Sequence, residues 1–140
     1  MPSGACRSMT DVLLDTCALL WLANGDDMKQ SAREAVVERN IHVSPISAWE
    51  IANLARKNRV SVAMPVAAWF RTAAGKMNAG MPPLSIDILT QSCALPGSPP
   101  NDPADRIIIA TARESDLAIV TRDAAILAYS REGHVRTLEC

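Results

Sequence analysis

The segment Val12-Leu13-Leu14-Asp15-Thr16 places three apolar residues directly before an acidic one. A short, uninterrupted apolar run is typical of a strand that is buried on both faces, as in a parallel sheet. Similar strands are predicted at 41–44, 84–86, 117–120 and 135–138. Helices are predicted between them, at 17–23 with Thr16 as the cap, and then at 31–39, 45–58, 65–74, 87–94, 102–113 and 124–129. This alternation predicts an α/β fold around a parallel sheet.

The chain has 140 residues, of which 49% are apolar and 21% are charged. This length allows one domain with a sizeable core and leaves little room for a second domain. Residues 1–10 show no ordered pattern, so we expect an N-terminal tail (with Met9 as a candidate alternative start) and one domain over 11–140. No apolar run approaches the roughly 18 residues that cross a bilayer, and the first residues lack the apolar stretch of a signal peptide. We therefore expect a cytoplasmic protein with no membrane contact.

Charge and cysteine usage exclude several classes of protein. The 14 basic and 15 acidic residues leave no surplus of positive charge, so any nucleic-acid role must depend on local charge or on a metal. The 4 cysteines form no CxxC pair and there are only 2 histidines, which argues against a disulfide framework and a zinc site. The 6 glycines form neither a Walker A loop nor a GxGxxG motif. Carboxylates are therefore the main candidates for catalytic or metal-binding groups.

Two acidic residues follow predicted strands directly or within a few residues. Asp15 ends the first strand, and Asp123 lies just after the strand at 117–120. In an open parallel sheet, ligands bind beyond the carboxyl ends of the strands, so both side chains are expected at the edge where ligands bind.

Two further acids are expected at the same edge. Glu50 falls about 40° from Ile46 and from Leu54 on a helical wheel, along the apolar face of its helix, where an unpaired charge is costly. Asp105 lies in the first turn of the helix that Asp102 and Pro103 begin. Four converging carboxylates would repel one another unless a cation is bound. Mg²⁺ or Mn²⁺ fits such oxygen ligands, and phosphodiester hydrolysis is a chemistry that these ions support.

Each acid also has a structural alternative. Asp102 is better explained as a helix cap than as a ligand, and Asp15 and Asp123 could also cap the helices that follow them. Asp105 could stabilise the dipole of its helix, and Glu50 would reach solvent if its helix were rotated. The shared edge favours the functional interpretation, because separate capping roles would not require it.

Basic residues near this edge are candidates for binding a phosphate backbone. Arg56, Lys57 and Arg59 follow Glu50 by one to two helical turns, and Arg106 and Arg122 are adjacent to the acidic positions 105 and 123. The Arg-Lys cluster is also typical of a solvated helix end. The aromatic Trp21 is expected in the core.

Four motifs together resemble one known family. These are Val12-Leu13-Leu14-Asp15-Thr16, Ile46-Ser47-Ala48-Trp49-Glu50-Ile51, Asp102-Pro103-Ala104-Asp105-Arg106-Ile107-Ile108 and Val120-Thr121-Arg122-Asp123. In this order and at this spacing they resemble the PIN-domain ribonucleases, and most closely the VapC-type toxins of bacterial toxin–antitoxin pairs. The resemblance covers about residues 11–138.

The resemblance implies a three-layer α/β/α sandwich around a parallel sheet of about five strands. It implies cleavage of RNA that depends on Mg²⁺ or Mn²⁺. Asp15, Glu50, Asp105 and Asp123 match the family's acidic metal-binding quartet, and Thr121 matches the hydroxyl residue that often accompanies the fourth acid. Such toxins are commonly homodimers that a cognate antitoxin inhibits by covering the active-site groove.

The chain departs from many members of this family at two places. Cys17 stands where many have His, and Pro99-Pro100-Asn101 replaces a segment where many have His shortly before the Asp-Pro pair. Neither place belongs to the quartet, so catalysis is expected to survive. Substrate choice or the shape of the loop at the groove is expected to differ.

We therefore expect an endoribonuclease in which Asp15 and Asp105 hold the principal metal and Glu50 and Asp123 complete the site. One alternative is a non-catalytic binding module with the same fold. A phosphotransfer or phosphatase-like α/β domain is less well supported. A receiver-like module needs a lysine after a late strand, but the last lysine is Lys76, and a dehalogenase-like phosphatase needs an aspartate where Cys17 stands.

Overall fold

A computed structural model describes residues 11–25 and 30–140 of the chain. The predicted tail at 1–10, including Met9, lies outside the described residues. In chain order the elements are β1 (Val12–Leu14), α1 (Thr16–Asn24), α2 (Gln30–Val37), β2 (Ile41–His42), α3 (Pro45–Arg56), α4 (Val66–Lys76), α5 (Ile86–Ser92), α6 (Pro103–Ser115), β3 (Ala118–Thr121), α7 (Ala124–Ser130) and β4 (Arg136–Glu139).

The strands form one parallel sheet in the order β2-β1-β3-β4. β1 lies between two neighbours, and its central residue Leu13 is in register with His42 of β2 and Ile119 of β3. From β1 the chain adds β2 on one side and then β3 on the other, and such a change of side opens a crevice at the carboxyl ends of β1 and β3. The predicted α/β class with a parallel sheet is confirmed, with four strands rather than about five in the described part of the chain.

Helices cover both faces of the sheet, which gives the predicted three layers. Val12 and Leu14 point to a core that they share with residues of α1, α3 and α4. Leu13 and Ile119 point to the opposite core, which contains residues of α5, α6 and α7. Successive strand residues thus serve opposite cores, which explains why β1 is apolar at every position.

The prediction of a strand at 84–86 is wrong, because α5 begins there. Ser85 is the N-cap of α5, and its hydroxyl oxygen accepts a hydrogen bond from Ile88 N at 3.1 Å. The sheet edge beside β2 is instead extended by Gly80, which forms a single parallel bridge with His42. A Cβ at this position would lie 2.7 Å from His42 Cδ2, so a glycine is needed for this close approach.

Thr16 was predicted to cap the helix after β1, and that prediction is also wrong. Asp15 is the N-cap of α1, and Thr16 is its first residue. None of the helices in the described ranges is long and apolar enough to cross a membrane.

The central position of β1 leads to a test of the fold. Leu13 is fully buried, so Leu13→Ala should lower the free energy of unfolding by about 2–5 kcal/mol through lost contacts and a new cavity. Urea unfolding monitored by circular dichroism measures this loss. The control is Leu89→Ala in α5, where the residue is 41% exposed and a clearly smaller loss is expected. Equal losses in the two variants would contradict the central role of β1.

Candidate active site

Asp15 lies at the carboxyl end of β1 with both carboxylate oxygens hydrogen-bonded. Oδ1 accepts a bond from Ala18 N at 2.8 Å, and Oδ2 accepts one from the Thr121 hydroxyl. The Asp15 backbone N donates to Val120 O of β3 at 3.1 Å. These bonds fix the orientation of the Asp15 carboxylate, and the residue is only 7% exposed. Asp15 both caps α1 and lines the cavity described below, so the two roles that the sequence offers as alternatives occur together.

Thr121 joins the first and fourth acids of the predicted quartet. Its hydroxyl donates to Asp15 and accepts a bond from Asp123 N at 2.9 Å. Asp123 Oδ1 in turn accepts bonds from the backbone N of residues 125 and 126, at 2.9 and 3.0 Å, which makes Asp123 the N-cap of α7. The fully buried Thr121 side chain therefore fixes the relative positions of two carboxylates from different segments.

Glu50 is held toward the sheet by a hydroxyl group from α1. The Thr16 hydroxyl donates to Glu50 Oε1, and the Thr16 oxygen lies 2.9 Å from the hydroxyl oxygen of Ser47. Thr16 is 6% exposed and Ser47 is fully buried, so this small polar network is shielded from water. The sequence analysis does not identify Thr16 as a site residue. Its position directly after Asp15 is the one feature of the sequence that could have indicated this role.

The N-terminus of α6 contributes two acids rather than one. Asp102 is the N-cap, and its Oδ1 accepts a bond from Asp105 N at 2.9 Å. The prediction that Asp102 caps this helix is confirmed, but its side chain also lines the same cavity as Asp105. Asp102 therefore adds a fifth carboxylate to the site.

These side chains surround one cavity of about 350 Å³ at the carboxyl edge of the sheet. The residues that line it are Asp15, Thr16, Cys17, Trp21, Glu50, Asp102, Asp105, Ile108, Arg122 and Asp123. The structure thus brings all four acids of the predicted quartet to one place. They come from four separate parts of the chain, which explains why no single short motif could reveal the site.

Burial and mutual repulsion both disfavour negative charge in this cavity. Burial is the larger effect and raises the pKa of Asp15 and of Glu50, while hydrogen bonds from Thr121 and Thr16 offset part of that rise. The pKa of Asp105 is raised to about 7, first by burial and then by the nearby charge of Asp102. A bound cation would oppose these shifts, because it favours the ionised form of each carboxylate.

The donor set fits a hard, hydrated cation. Among the described residues, no group of three Asp, Glu, His or Cys side chains is arranged closely enough to enclose a metal ion. Mg²⁺ does not require such an enclosure, because it retains several waters and usually binds one or two carboxylates directly. Five carboxylates around a cavity of this size supply those ligands and acceptors for the bound waters.

The predicted basic residues are not all at the cavity. Arg122 lines it, but Arg106 does not, and the Arg106 guanidinium donates to Ser92 O at 2.8 Å and to Pro100 O at 3.0 Å. Arg56 donates to Asn53 Oδ1 on the surface of α3. Lys57 and Arg59, which are exposed, also lie outside the cavity lining.

Of the two departures from the family pattern, one lies in the site. Cys17 is exposed and lines the cavity, and burial and the surrounding acids raise the pKa of its thiol to about 11. Its thiol is therefore neutral at physiological pH. Residues 99–101 lie outside the cavity lining.

The fold and the cavity together define a small parallel α/β domain with an acidic site at the carboxyl edge of its sheet. The family model of the PIN domain matches residues 12–132. The chain is also 37% identical over 118 residues to Ribonuclease VapC22 of Mycobacterium tuberculosis (strain ATCC 25618 / H37Rv), with 82% of this chain and 88% of that protein covered. The chain therefore belongs to the PIN-domain family and is of the VapC type.

Solved structures share this fold at low sequence identity. A toxin-antitoxin complex from Klebsiella pneumoniae aligns with a TM-score of 0.58 and 23% identity, over 84% of this chain and 91% of that one. FitAcB from Neisseria gonorrhoeae aligns with a TM-score of 0.53 and 17% identity, over 91% of this chain and 96% of that one. These likenesses support the three-layer architecture.

The electrostatics of the cavity predict a pH-dependent stability in metal-free protein. Because folding raises the pKa of Asp105 from 3.8 to about 7, the folded state binds this proton more tightly than the unfolded chain. The resulting stabilisation is complete below about pH 4 and is lost as the pH rises through about 7. In EDTA the Tm should therefore fall between pH 5 and pH 8, and it should fall less in Asp105→Asn.

The matched control is Glu114→Gln, which removes an exposed acid from the same helix. This variant should show the same fall in Tm as the unmodified protein. Falls of equal size in Asp105→Asn and the unmodified protein would contradict the electrostatic account.

Proposed function

We propose that this chain is a metal-dependent endoribonuclease that acts as the toxin of a toxin–antitoxin pair. The observation that carries the proposal is the convergence of Asp15, Glu50, Asp105 and Asp123 from four segments on one cavity. Burial of Asp15, Glu50 and Asp105 costs free energy, and the helix caps and hydrogen bonds do not by themselves require a shared cavity. Membership of the family that includes a ribonuclease of the VapC type supports the same function.

Mg²⁺ or Mn²⁺ is the cofactor that we propose. Asp15 and Asp105 would hold the ion, directly or through water, and Glu50 and Asp123 would complete or orient the site. When bound, such an ion supplies Lewis-acid stabilisation of charge on the phosphate and makes a nearby water more acidic.

Hydrogen bonds within the protein favour the ionised form of two of these carboxylates and fix their orientation. Hydrogen bonds from Ala18 N and the Thr121 hydroxyl favour the ionised form of Asp15 and prevent its rotation. The Thr16 hydroxyl does the same for Glu50. A carboxylate that is already oriented loses little conformational entropy when the substrate complex forms, which is the advantage of a preorganised site.

RNA, an antitoxin and a second copy of the chain are the partners that we propose, in the cytoplasm. The exposed Arg56, Lys57 and Arg59 would contact RNA phosphates away from the cavity. For Arg106 the two carbonyl contacts support a role in ordering the loop before α6 rather than in binding RNA.

An apolar groove of about 380 Å³ supports the homodimer. Ile46, Leu84 and Ile107 line it together with Trp49, which is 59% exposed. An exposed tryptophan in an apolar groove is typical of an association surface. We propose that this groove contacts the second copy.

The proposed nuclease is tested by two isosteric substitutions. Asp15→Asn and Asp105→Asn should each reduce Mg²⁺-dependent cleavage of total cellular RNA by roughly 100-fold or more. This is at or above the upper end of the roughly 10–100-fold that loss of an outer-shell partner typically costs. A gel assay with Mg²⁺, Mn²⁺ and EDTA measures cleavage, and circular dichroism shows that each variant is folded.

Glu114→Gln is the matched control and should cleave RNA as the unmodified protein does. Expression of the unmodified protein should arrest growth, and co-expression of the neighbouring gene product should relieve the arrest. Full activity in either aspartate variant would overturn the assignment of the site. A folded, unmodified protein that cleaves no RNA with either ion would favour the non-catalytic binding module.

A further inference from the structure

Trp21 and Arg122 form a stacked pair at the wall of the acidic cavity. The Arg122 Cζ atom lies 3.6 Å from the centre of the Trp21 ring, well within the distance of a cation–π contact. Trp21 comes from α1, and Arg122 lies between β3 and α7, next to two site residues, Thr121 and Asp123. Both side chains line the cavity. The expectation that Trp21 is simply a core residue is therefore incomplete.

The charges around the cavity pose a problem for a polyanionic substrate. Asp15, Glu50, Asp102, Asp105 and Asp123 all line it. Among the described residues of the lining, Arg122 carries the one basic side chain. A cation bound by the carboxylates offsets part of their charge, but the phosphates that flank the reacting one still lie beside acidic groups. Arg122 is the lining residue whose charge attracts them.

The stacked arrangement sets the plane of the Arg122 guanidinium. A cation–π contact uses one face of the planar guanidinium, whereas its N–H donors point outward in the plane. These donors match two oxygens of one phosphate group. Burial raises the pKa of the Cys140 thiol, and the nearby Arg122 guanidinium offsets part of that rise, which places Arg122 beside this buried residue.

We propose that Trp21 and Arg122 act as one phosphate-binding element, in which Trp21 fixes the guanidinium and Arg122 binds a backbone phosphate next to the one that is cleaved. This inference rests on the proposed function, because it assumes that RNA enters the cavity. Arg122 contacts the substrate, and Trp21 is a positioning residue. The element recognises the backbone and not a base, so it contributes to affinity for every RNA sequence.

Four variants separate the charge from the stacking. Arg122→Gln removes the charge, and Arg122→Lys keeps the charge but loses the planar fork. Trp21→Leu removes the ring, and Trp21→Phe keeps a smaller one. The control is Arg131→Gln, which removes an exposed arginine at the far end of α7. Steady-state cleavage of a fluorescent oligoribonucleotide gives KM and kcat, and anisotropy with its 2′-O-methyl analogue gives Kd as a function of salt.

Arg122→Gln should raise KM and Kd by about 10-fold, in line with the loss of one charge-assisted contact, with a smaller change in kcat. It should also reduce the slope of log Kd against log salt by about 0.7, the value for one phosphate of a single strand. Arg122→Lys and Trp21→Leu should each raise KM by about 3-fold or more, and Trp21→Phe should recover part of that loss. Arg131→Gln should change neither KM nor the slope.

Two results would overturn the inference while leaving the proposed nuclease intact. One is an active Arg122→Gln variant with unchanged KM and salt slope. The other is a folded Trp21→Leu variant, with unchanged Tm, that binds the 2′-O-methyl analogue as tightly as the unmodified protein. If the unmodified protein cleaves no RNA, the proposed function fails first, and the anisotropy measurement still decides whether Arg122 binds a phosphate.

Discussion

The geometry of the site depends most on two hydrogen bonds of the Thr121 hydroxyl. This group donates to Asp15 and accepts from Asp123 N, so it joins the end of β1 to the start of α7. The neighbouring bond from Asp15 N to Val120 O aligns the two strand ends. Because β1 and β3 are adjacent in the parallel sheet, one buried hydroxyl can position carboxylates from residues more than 100 apart in the chain. Glu50, Asp102 and Asp105 line the same cavity as these two carboxylates.

Three of the five cavity acids also serve the fold as helix caps. Asp15, Asp102 and Asp123 each accept hydrogen bonds from backbone N–H groups at the start of a helix. Helix N-termini favour negative charge, so these ends offset part of the repulsion that crowding of carboxylates creates. Burial still raises the pKa of Asp15 and Asp105, so the cation that we propose would stabilise their ionised forms.

The positions of the quartet were predictable from the sequence, but the contacts that support it were not. Asp15 and Asp123 could be placed because strand ends in a parallel sheet meet at one edge, and Glu50 because of its apolar helical face. The roles of Thr16 and Asp102 depend on how α1, α3 and α6 pack, which periodicity does not encode. The strand expected at 84–86 failed for a related reason, since a short apolar run does not distinguish a strand from the start of a helix.

Crystallographic location of Mn²⁺ tests the central claim most directly. Crystals of the unmodified protein soaked in millimolar Mn²⁺, with diffraction data collected at the manganese absorption edge, would show the ion by its anomalous signal. The account predicts a peak within the cavity, with Asp15 or Asp105 bound to the ion directly or through water, and loss of that peak in Asp105→Asn. A strong peak elsewhere, or an empty cavity in crystals where the carboxylates are well ordered, would contradict it.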